Sequence, residues 1–536
     1  MKENINLKRN IFIGGAWPYA NNSLHIGHIA GLISGDVLAR YHRQVGDNVI
    51  YVSGTDCHGT PITVRAKKEN STPKEIAEKY HKEFKKCFEK MDFSYDLYNN
   101  TEDEYHKEMV QELLNKIYSN GYIYEKKEYQ PYCEKCKKFL SDRELQLECP
   151  ECGKHTKGDM CDCGYEPKNI DFKNATCIEC GQKCTEKENT NLYISLSKLQ
   201  PIIEEYVNNN KQYWRVSSIN ETEKYLRQGL LDKVISRDLE WGIDIPIKSY
   251  EHKKIYVWIE AVLGYITSCK KICENRGIDW EDYLKKSPNT KNNIMYMAHG
   301  KDNITFHTII FPALLLAIDD NYLLPNKMVA TQYLNINSEK ISKSKGNGIT
   351  ILQMLEQYDS DMIRYYLIAN GPEKKDSNFS LNDFTSVCNA EVVNKYGNLV
   401  NRTLKYKGLK EIPQGNMNLK IRKSIEKAYE DISYYYENLE FKKVILVIKE
   451  LIEEGNKYYE EQQPWKQQNI NIKDFEDTIY TCCNLIANVS KMLKPIMPKS
   501  SKKIQNILKI NDLLEYEEVE TKHKLIDIKP LFDKIK

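Results

Sequence analysis

Apolar positions fall into two rhythms along this chain, and the rhythm changes more than once. "RNIFIGGAWPY" is a short continuous apolar run ending in a turn, the mark of a buried strand. "SLHIGHIAGLISGDVLARYHRQ" then spaces its apolar residues three and four apart, the mark of a helix that Ser23 is placed to cap. "DNVIYVSGTD" returns to a strand that ends at Gly54. Strand, helix and strand in this order predict a parallel α/β sheet. Amphipathic helices follow over "PKEIAEKYHKEFKKCFEKM" and "EYHKEMVQELLNKIYSNGYIY", until a cysteine-rich stretch interrupts the pattern like an insertion. After it, "KKIYVWIEAVLGYITS", "NIMYMAHGKDNITFHTIIFPALLLAI" and "NKMVATQYLNI" bring strand and helix back, as though the first sheet resumes. From about Asn382 onward the helical period takes over with few strand candidates, which predicts a C-terminal helical bundle.

Length and composition bound this picture. At 536 residues the chain is too long for one ordinary core and suggests roughly three or four units. It is 41% hydrophobic and 29% charged, the make-up of a soluble globular protein. The N-terminal apolar run is too short for a secretory signal and the longest one elsewhere, "FPALLLAI", is too short to span a bilayer, so a cytoplasmic protein is expected. A net charge of +2 argues against wrapping in nucleic acid by bulk electrostatics, but leaves room for a local basic face.

Nine of the 16 cysteines lie between Cys133 and Cys184. A disulfide scaffold would spread them through a short secreted chain, so clustering points to metal instead. "CEKC" (Cys133, Cys136), "CPEC" (Cys149, Cys152), "CDC" (Cys161, Cys163) and "CIEC" (Cys177, Cys180) supply eight thiols, ligands enough for two tetrahedral zinc sites. Spacing alone does not assign which pairs join. Four thiolates around one ion leave no open position, so such zincs are expected to be structural.

"WPYANNSLHIGHIAG" sets His25 and His28 three apart after a strand and a Pro-Asn-Asn turn. An arbitrary pair of this kind is most often surface or core. Here it opens a helix, where free N–H groups and the dipole favour an anion, and Gly27 between the two leaves room for a group to approach the backbone. A phosphate or nucleotide site is the reading that follows. No Walker A sequence occurs, which argues against a P-loop nucleotidase. "SEKISKSKGN" further on carries Lys340, Lys343 and Lys345; alone it would read as a solvated basic loop.

The histidine pair and this lysine loop, in this order, resemble the two signatures of the class I aminoacyl-tRNA synthetases. Within that class "AWPYANNSLHIGHIAG", "SGTDCHGTPI", "YVWIEAVLGY", "HGKDNITFHTIIFPA", "KISKSKGN", "YGNLVNRTL" and "QQPW" resemble the blocks of the methionyl-tRNA synthetase family, over nearly the whole chain. The similar valine, isoleucine and leucine enzymes carry a large editing insertion for which this chain has no room.

The resemblance implies a Rossmann-like parallel-sheet catalytic domain in two halves (1–118 and 226–330) and a connective zinc-knuckle insertion (119–225). It also implies a stem-contact region with the lysine loop (331–381) and a helical anticodon-binding domain (382–536). The implied activity is activation of methionine by ATP with magnesium, then transfer to the 3′-terminal adenosine of methionine tRNA, for initiation and elongation. His25, His28, Lys340 and Lys343 would carry catalysis, and Gly27, Gly300 and Asp302 would join them in binding ATP. Asp56 would accept the amino group of methionine, with Tyr19, Trp258, Ala261, Tyr265 and His307 forming the side-chain pocket.

The family pattern further implies nested zinc sites, the outer from Cys133, Cys136, Cys177 and Cys180 and the inner from Cys149, Cys152, Cys161 and Cys163. Cys184 stands as a substitute ligand, because "CDC" is one residue shorter than usual. Asn398, Arg402 and Trp465 would read the anticodon, although Trp465 could equally be core and Arg402 a surface ion pair. The chain lacks the C-terminal barrel that many relatives use to dimerise, so a monomer is expected. Trp17, Val262 and Phe311 depart from the family's frequent leucine, proline and tryptophan, and all three lie near the expected pocket.

Overall fold

The computed structural model describes residues 8–535 apart from 141–143, 159–160, 162, 164, 166–168, 288–291, 337–338, 341–348 and 527. Its centre is a five-stranded sheet in the order Lys327–Thr331, Ile294–Gly300, β1 (Asn10–Gly15), β2 (Asn48–Thr55), β3 (Leu97–Asn100). All neighbours are parallel, which requires a crossover between successive strands. Because side chains alternate across a strand, β1 feeds both faces: Ile11 and Ile13 join the core under α1 (Ile26–Gln44), whereas Phe12 joins Ile50, Val52 and the helices Glu104–Ser119 and Val257–Arg276 opposite. The chain lays down β1, β2 and β3 outward, then resumes on the other side of β1. A topological switch point therefore opens between β1 and Ile294–Gly300, at the carboxyl ends of the strands, where ligands of such sheets bind.

The cysteine-rich region rides on a long antiparallel ribbon of Ile123–Cys133 and Thr185–Ile194, paired from Ile123↔Ile194 to Tyr132↔Thr185. At its outer end sits a small sheet of Leu145–Glu148, His155–Lys157 and Thr176–Cys177. The C-terminal third is the expected bundle, built on Leu419–Glu437, Phe441–Gln462, Ile472–Leu493 and Pro498–Leu508. Arg364, fully buried, ties it to the sheet domain by donating to Asp36 Oδ2 at 2.5 Å and to the carbonyls of Ile496 and Pro495 at 2.7 and 3.0 Å. No helix among the described residues is long and apolar enough to cross a membrane.

Candidate active site

At the switch point lies a cavity of about 300 Å³, lined in part by Ala16, His25, Gly27, His28, Gly300 and Asp302. The helix does not start at Ser23 as expected. Its N-cap is His25, extended at φ −117°, and the helix proper begins at Ile26. Imidazole takes the part usually played by a small polar side chain: Nδ1 of His25 accepts the N–H of Gly27 at 3.2 Å, and Nδ1 of His28 accepts the N–H of His25 at 3.1 Å. The ring centroids stand 3.8 Å apart. With both Nδ1 atoms accepting, each neutral ring carries its proton on Nε2, so the turn holds two ring donors side by side at a helix N-terminus. That is a site for developing negative charge.

Lys340 belongs by its backbone to a short strand that pairs with Asn335–Ile336, while Lys343 and Lys345 lie outside the described residues. Immediately after the lysine loop, Thr350 forms a β-bridge with His25, and the N–H of Ile351 donates to the carbonyl of Leu24 at 2.9 Å. The segment just after the lysine signature is thus held against the histidine turn, more than 300 residues away in sequence. Gly300 has open space where a Cβ would stand, and Asp302 accepts from the hydroxyl of Tyr333.

Next to this cavity stand the residues expected to hold the amino acid. Asp56 follows β2 and is 2% exposed; burial, and then the charge of Glu260, push its carboxyl well above the ordinary range. Trp258 stacks on Phe306 at 4.1 Å and meets Tyr19 edge-on at 5.7 Å. Nδ1 of His307 faces the carbonyl of Asn303 at 2.7 Å and so carries the proton, leaving Nε2 to accept from the Tyr265 hydroxyl at 2.8 Å. Burial lowers the pKa of His307 to about 4, so it is neutral at physiological pH. It sits in a widened helical turn, Phe306–Ile310, of the kind that often re-aims side chains at functional sites. Ala261 and Val262 are buried on Val257–Arg276, and Phe311 packs on Tyr265 at 5.4 Å. The indole of Trp17 fills the gap between Gly54 and Gly264, where a Cβ on either would come within 2.6 Å of its ring. The bulk that departs from the family pattern is accommodated by those two glycines.

Three side chains that the sequence reading passed over complete the site: His58, Glu102 and Glu260. Nδ1 of His58 is 2.6 Å from Glu260 Oε1, and its Nε2 bonds Glu102. His58 is 1% exposed and Glu260 is fully buried. The available signal was a histidine two residues beyond Asp56 and an acid beside Trp258 in "VWIEA".

The eight paired cysteines fall into two groups of four, Cys133, Cys136, Cys177 and Cys180, and Cys149, Cys152, Cys161 and Cys163, each with its sulfurs within 4.8 Å of one another. Nearest sulfurs are 3.4 to 3.9 Å apart. A tetrahedron of thiolates around zinc has edges of about 3.8 Å, so the donor sets fit that ion. Cys184 is buried beside the first group, in the small apolar cluster with Leu145 and Ala175, and belongs to neither.

In the bundle, Asn398 is exposed at the head of Asn398–Leu404. The Arg402 guanidinium lies 4.1 Å from the Tyr459 ring, donates to the carbonyl and side chain of Asn456 at 2.9 Å, and pairs with Glu460. Trp465 is 43% exposed, with Tyr459 at 6.1 Å. It is therefore not a core residue.

Two family models match the chain: tRNA synthetases class I (M) over residues 11–404, and the anticodon binding domain of methionyl tRNA ligase over residues 411–530. Similar relatives include methionine--tRNA ligase 1 of Alkaliphilus oremlandii, 47% identical over 501 residues and spanning 92% of each chain. Methionine--tRNA ligase of Bacillus cereus is 43% identical over 535 residues, 98% of this chain and 97% of that one. The structure of Mycobacterium tuberculosis methionyl-tRNA synthetase in complex with methionyl-adenylate shares the fold with a TM-score of 0.80, at 23% identity over 98% of this chain and 99% of that one.

Proposed function

Because the chain belongs to the class I methionine–tRNA ligases, we propose that the cavity at the switch point binds ATP, and that the adjoining Asp56 pocket binds methionine. The overall reaction is the family's: methionine is joined to its tRNA through methionyl-adenylate. In the first step a methionine carboxylate oxygen bonds the α-phosphorus while the bond to the bridging oxygen of pyrophosphate breaks. The nucleophile is already ionised, so the chain's task is placement and charge stabilisation rather than proton removal. His25 and His28 donate from Nε2 to the phosphate oxygens, and Lys340 and Lys343 attract the departing pyrophosphate from the other side. Magnesium bound with ATP neutralises the phosphates. Asp56 takes the α-ammonium, Tyr19, Trp258, Ala261, Tyr265 and His307 enclose the thioether, and sulfur contacts with the aromatic walls favour methionine. Gly300 and Asp302 lie on the adenosine side.

In the second step a hydroxyl of the terminal adenosine attacks the activated carbonyl and AMP leaves. Asn398, Arg402 and Trp465 read the anticodon, by hydrogen bonds and stacking on unpaired bases. The two cysteine groups hold structural zinc within an insertion near 119–225, and the reaction serves initiation and elongation in the cytoplasm.

The observation that carries this reading is the bridge between Thr350 and His25, which brings the lysine loop's exit against the histidine turn. The test is amino-acid-dependent exchange of pyrophosphate into ATP across a panel of amino acids. Exchange confined to methionine is expected; exchange with another amino acid, or none, rejects it.

A further inference from the structure

His58 is held by acids on both sides. One ring nitrogen meets Glu260, from the first turn of Val257–Arg276, and the other meets Glu102, from the loop after β3. A neutral imidazole has one donor only, and its bare nitrogen would face a carboxylate oxygen; two donors satisfy both acids at once. Burial opposes the charge, but Glu260 and Glu102 outweigh it and raise the His58 pKa to about 10. The backbone N–H of the same residue donates to Asp56 Oδ1 at 3.3 Å.

The other charged groups facing this ring are few. Lys107 reaches Glu102 Oε2 at 3.2 Å, and His106 is kept neutral, its pKa brought down to about 3 by burial and by the charge of His58. Trp241 meets the ring edge-on at 5.3 Å and donates to the carbonyl of Cys57. Leaving aside the solvent-exposed Glu104, which shares Lys107 at 3.2 Å, three carboxylates, Asp56, Glu102 and Glu260, thus face two cations, His58 and Lys107. One negative charge is left over beside Asp56. The second oxygen of Glu260 is buried and has no hydrogen-bond partner, so unspent acceptor capacity lies here too.

We propose that His58, carried as an imidazolium between Glu260 and Glu102, is a positioning residue that leaves the Asp56 pocket one net negative charge, the complement of a single substrate α-ammonium. The proposal rests on reading Asp56 as the ammonium acceptor. It makes His58 neither an acid nor a base in the reaction. Its part is to oppose a rise: burial and then the charge of Glu260 push the Asp56 carboxyl up, the charge of His58 pulls it down, and the substrate ammonium then takes Asp56 in its ionised form.

The test is the pH profile of methionine KM and kcat, from pyrophosphate exchange between pH 5.5 and 8.5, in the full chain. His58→Gln keeps one donor and removes the positive charge. Its methionine KM should rise about tenfold or more at pH 7 with kcat changed far less, and the acid limb of its KM profile should move to higher pH by about one unit, a tenfold shift in the Asp56 proton equilibrium. Glu102→Gln keeps an acceptor for His58 and removes a negative charge, so its acid limb should move to lower pH. Opposite displacements are expected only if charge is the mechanism. If both variants keep the unmodified profile, or both shift the same way, the proposal is overturned. Should His58→Gln fail to fold, the sign of the Glu102→Gln shift alone decides. Asp56→Asn separates the two readings: normal methionine saturation in that variant removes the role of Asp56 itself. Its loss together with unshifted His58 and Glu102 variants removes only the proposal.

Discussion

The crevice at the switch point and the exposed corner of the bundle are built on opposite physical terms. On the amino-acid side of the crevice the groups are buried: Asp56, His58 and Glu260 are at most 2% exposed, and the charge of Glu260 raises both the Asp56 carboxyl and the His58 imidazole. At the corner, Trp465 is nearly half exposed, and Arg402 is held on Tyr459 and Asn456 with solvent near its ion pair to Glu460, which is 61% exposed. Charges out of water interact strongly and can be organised in advance for a transition state, whereas exposed groups compete with water and contribute by stacking and contact. The proposed chemistry therefore falls to the first region, and the proposed recognition of a large flexible partner to the second.

The sharpest way to break this contrast is His28→Ala. If the half-buried histidine donors act on the phosphates, the single-turnover rate of adenylate formation should fall by about 10²–10³-fold, the usual effect of removing one preorganised donor, while methionine affinity stays near normal. An unchanged rate would place the chemistry elsewhere. At the corner, Trp465→Ala should leave pyrophosphate exchange nearly intact and reduce charging of methionine tRNA by about tenfold to a hundredfold, from about 1–3 kcal/mol of lost stacking. Its melting temperature should barely move, because the ring is half exposed. Parallel loss of exchange and charging with a lowered melting temperature would make it a structural residue instead.

Two smaller effects refine the comparison. Elemental analysis should find two zincs per chain, and Cys133→Ser should lose the one shared with Cys136, Cys177 and Cys180 while keeping the other; a single zinc in the unmodified protein would contradict the two-site reading. The smallest effect expected is none. His307 has a folded-state pKa of about 4, below the ordinary value near 6.5. Its contribution to stability is complete above that ordinary value and is lost only as pH falls toward 4. Nitrogen-15 NMR should show a neutral ring, protonated on Nδ1, throughout pH 6 to 8. A ring that titrates near 6.5 would mean the methionine pocket is wetter than its packing implies.

Much of the crevice was legible because its signals are local. His25 and His28 share a turn whatever surrounds them, Asp56 follows a strand whose apolar run is continuous, and paired cysteines mark a set of thiols that could hold a metal by spacing alone. The cap was misread because Ser23 is the commoner N-cap type, whereas the imidazole of His25 already accepts the free N–H there. His58 escaped notice because nothing beside it in sequence explains it. Its partners are 44 and 202 residues away, and a histidine between two acids exists only once the loops after β2 and β3 meet the first turn of Val257–Arg276.

By itself, the order of residues determined the elements, the family, the ligand stock of the cysteine region and which side chains could do chemistry, since those depend on residue type and short spacing. Tertiary structure decided the rest. The order of the strands opened the switch point between β1 and Ile294–Gly300, and the register of the long ribbon accompanied the sorting of eight thiols into two fours. Packing around Gly54 and Gly264 gave Trp17 its place, and burial made Asp56, His58 and Glu260 one charge system instead of three separate groups. The physical reason is common to all four: electrostatic coupling and close packing depend on distance through space and exclusion of water, and neither quantity is written in any short stretch of chain.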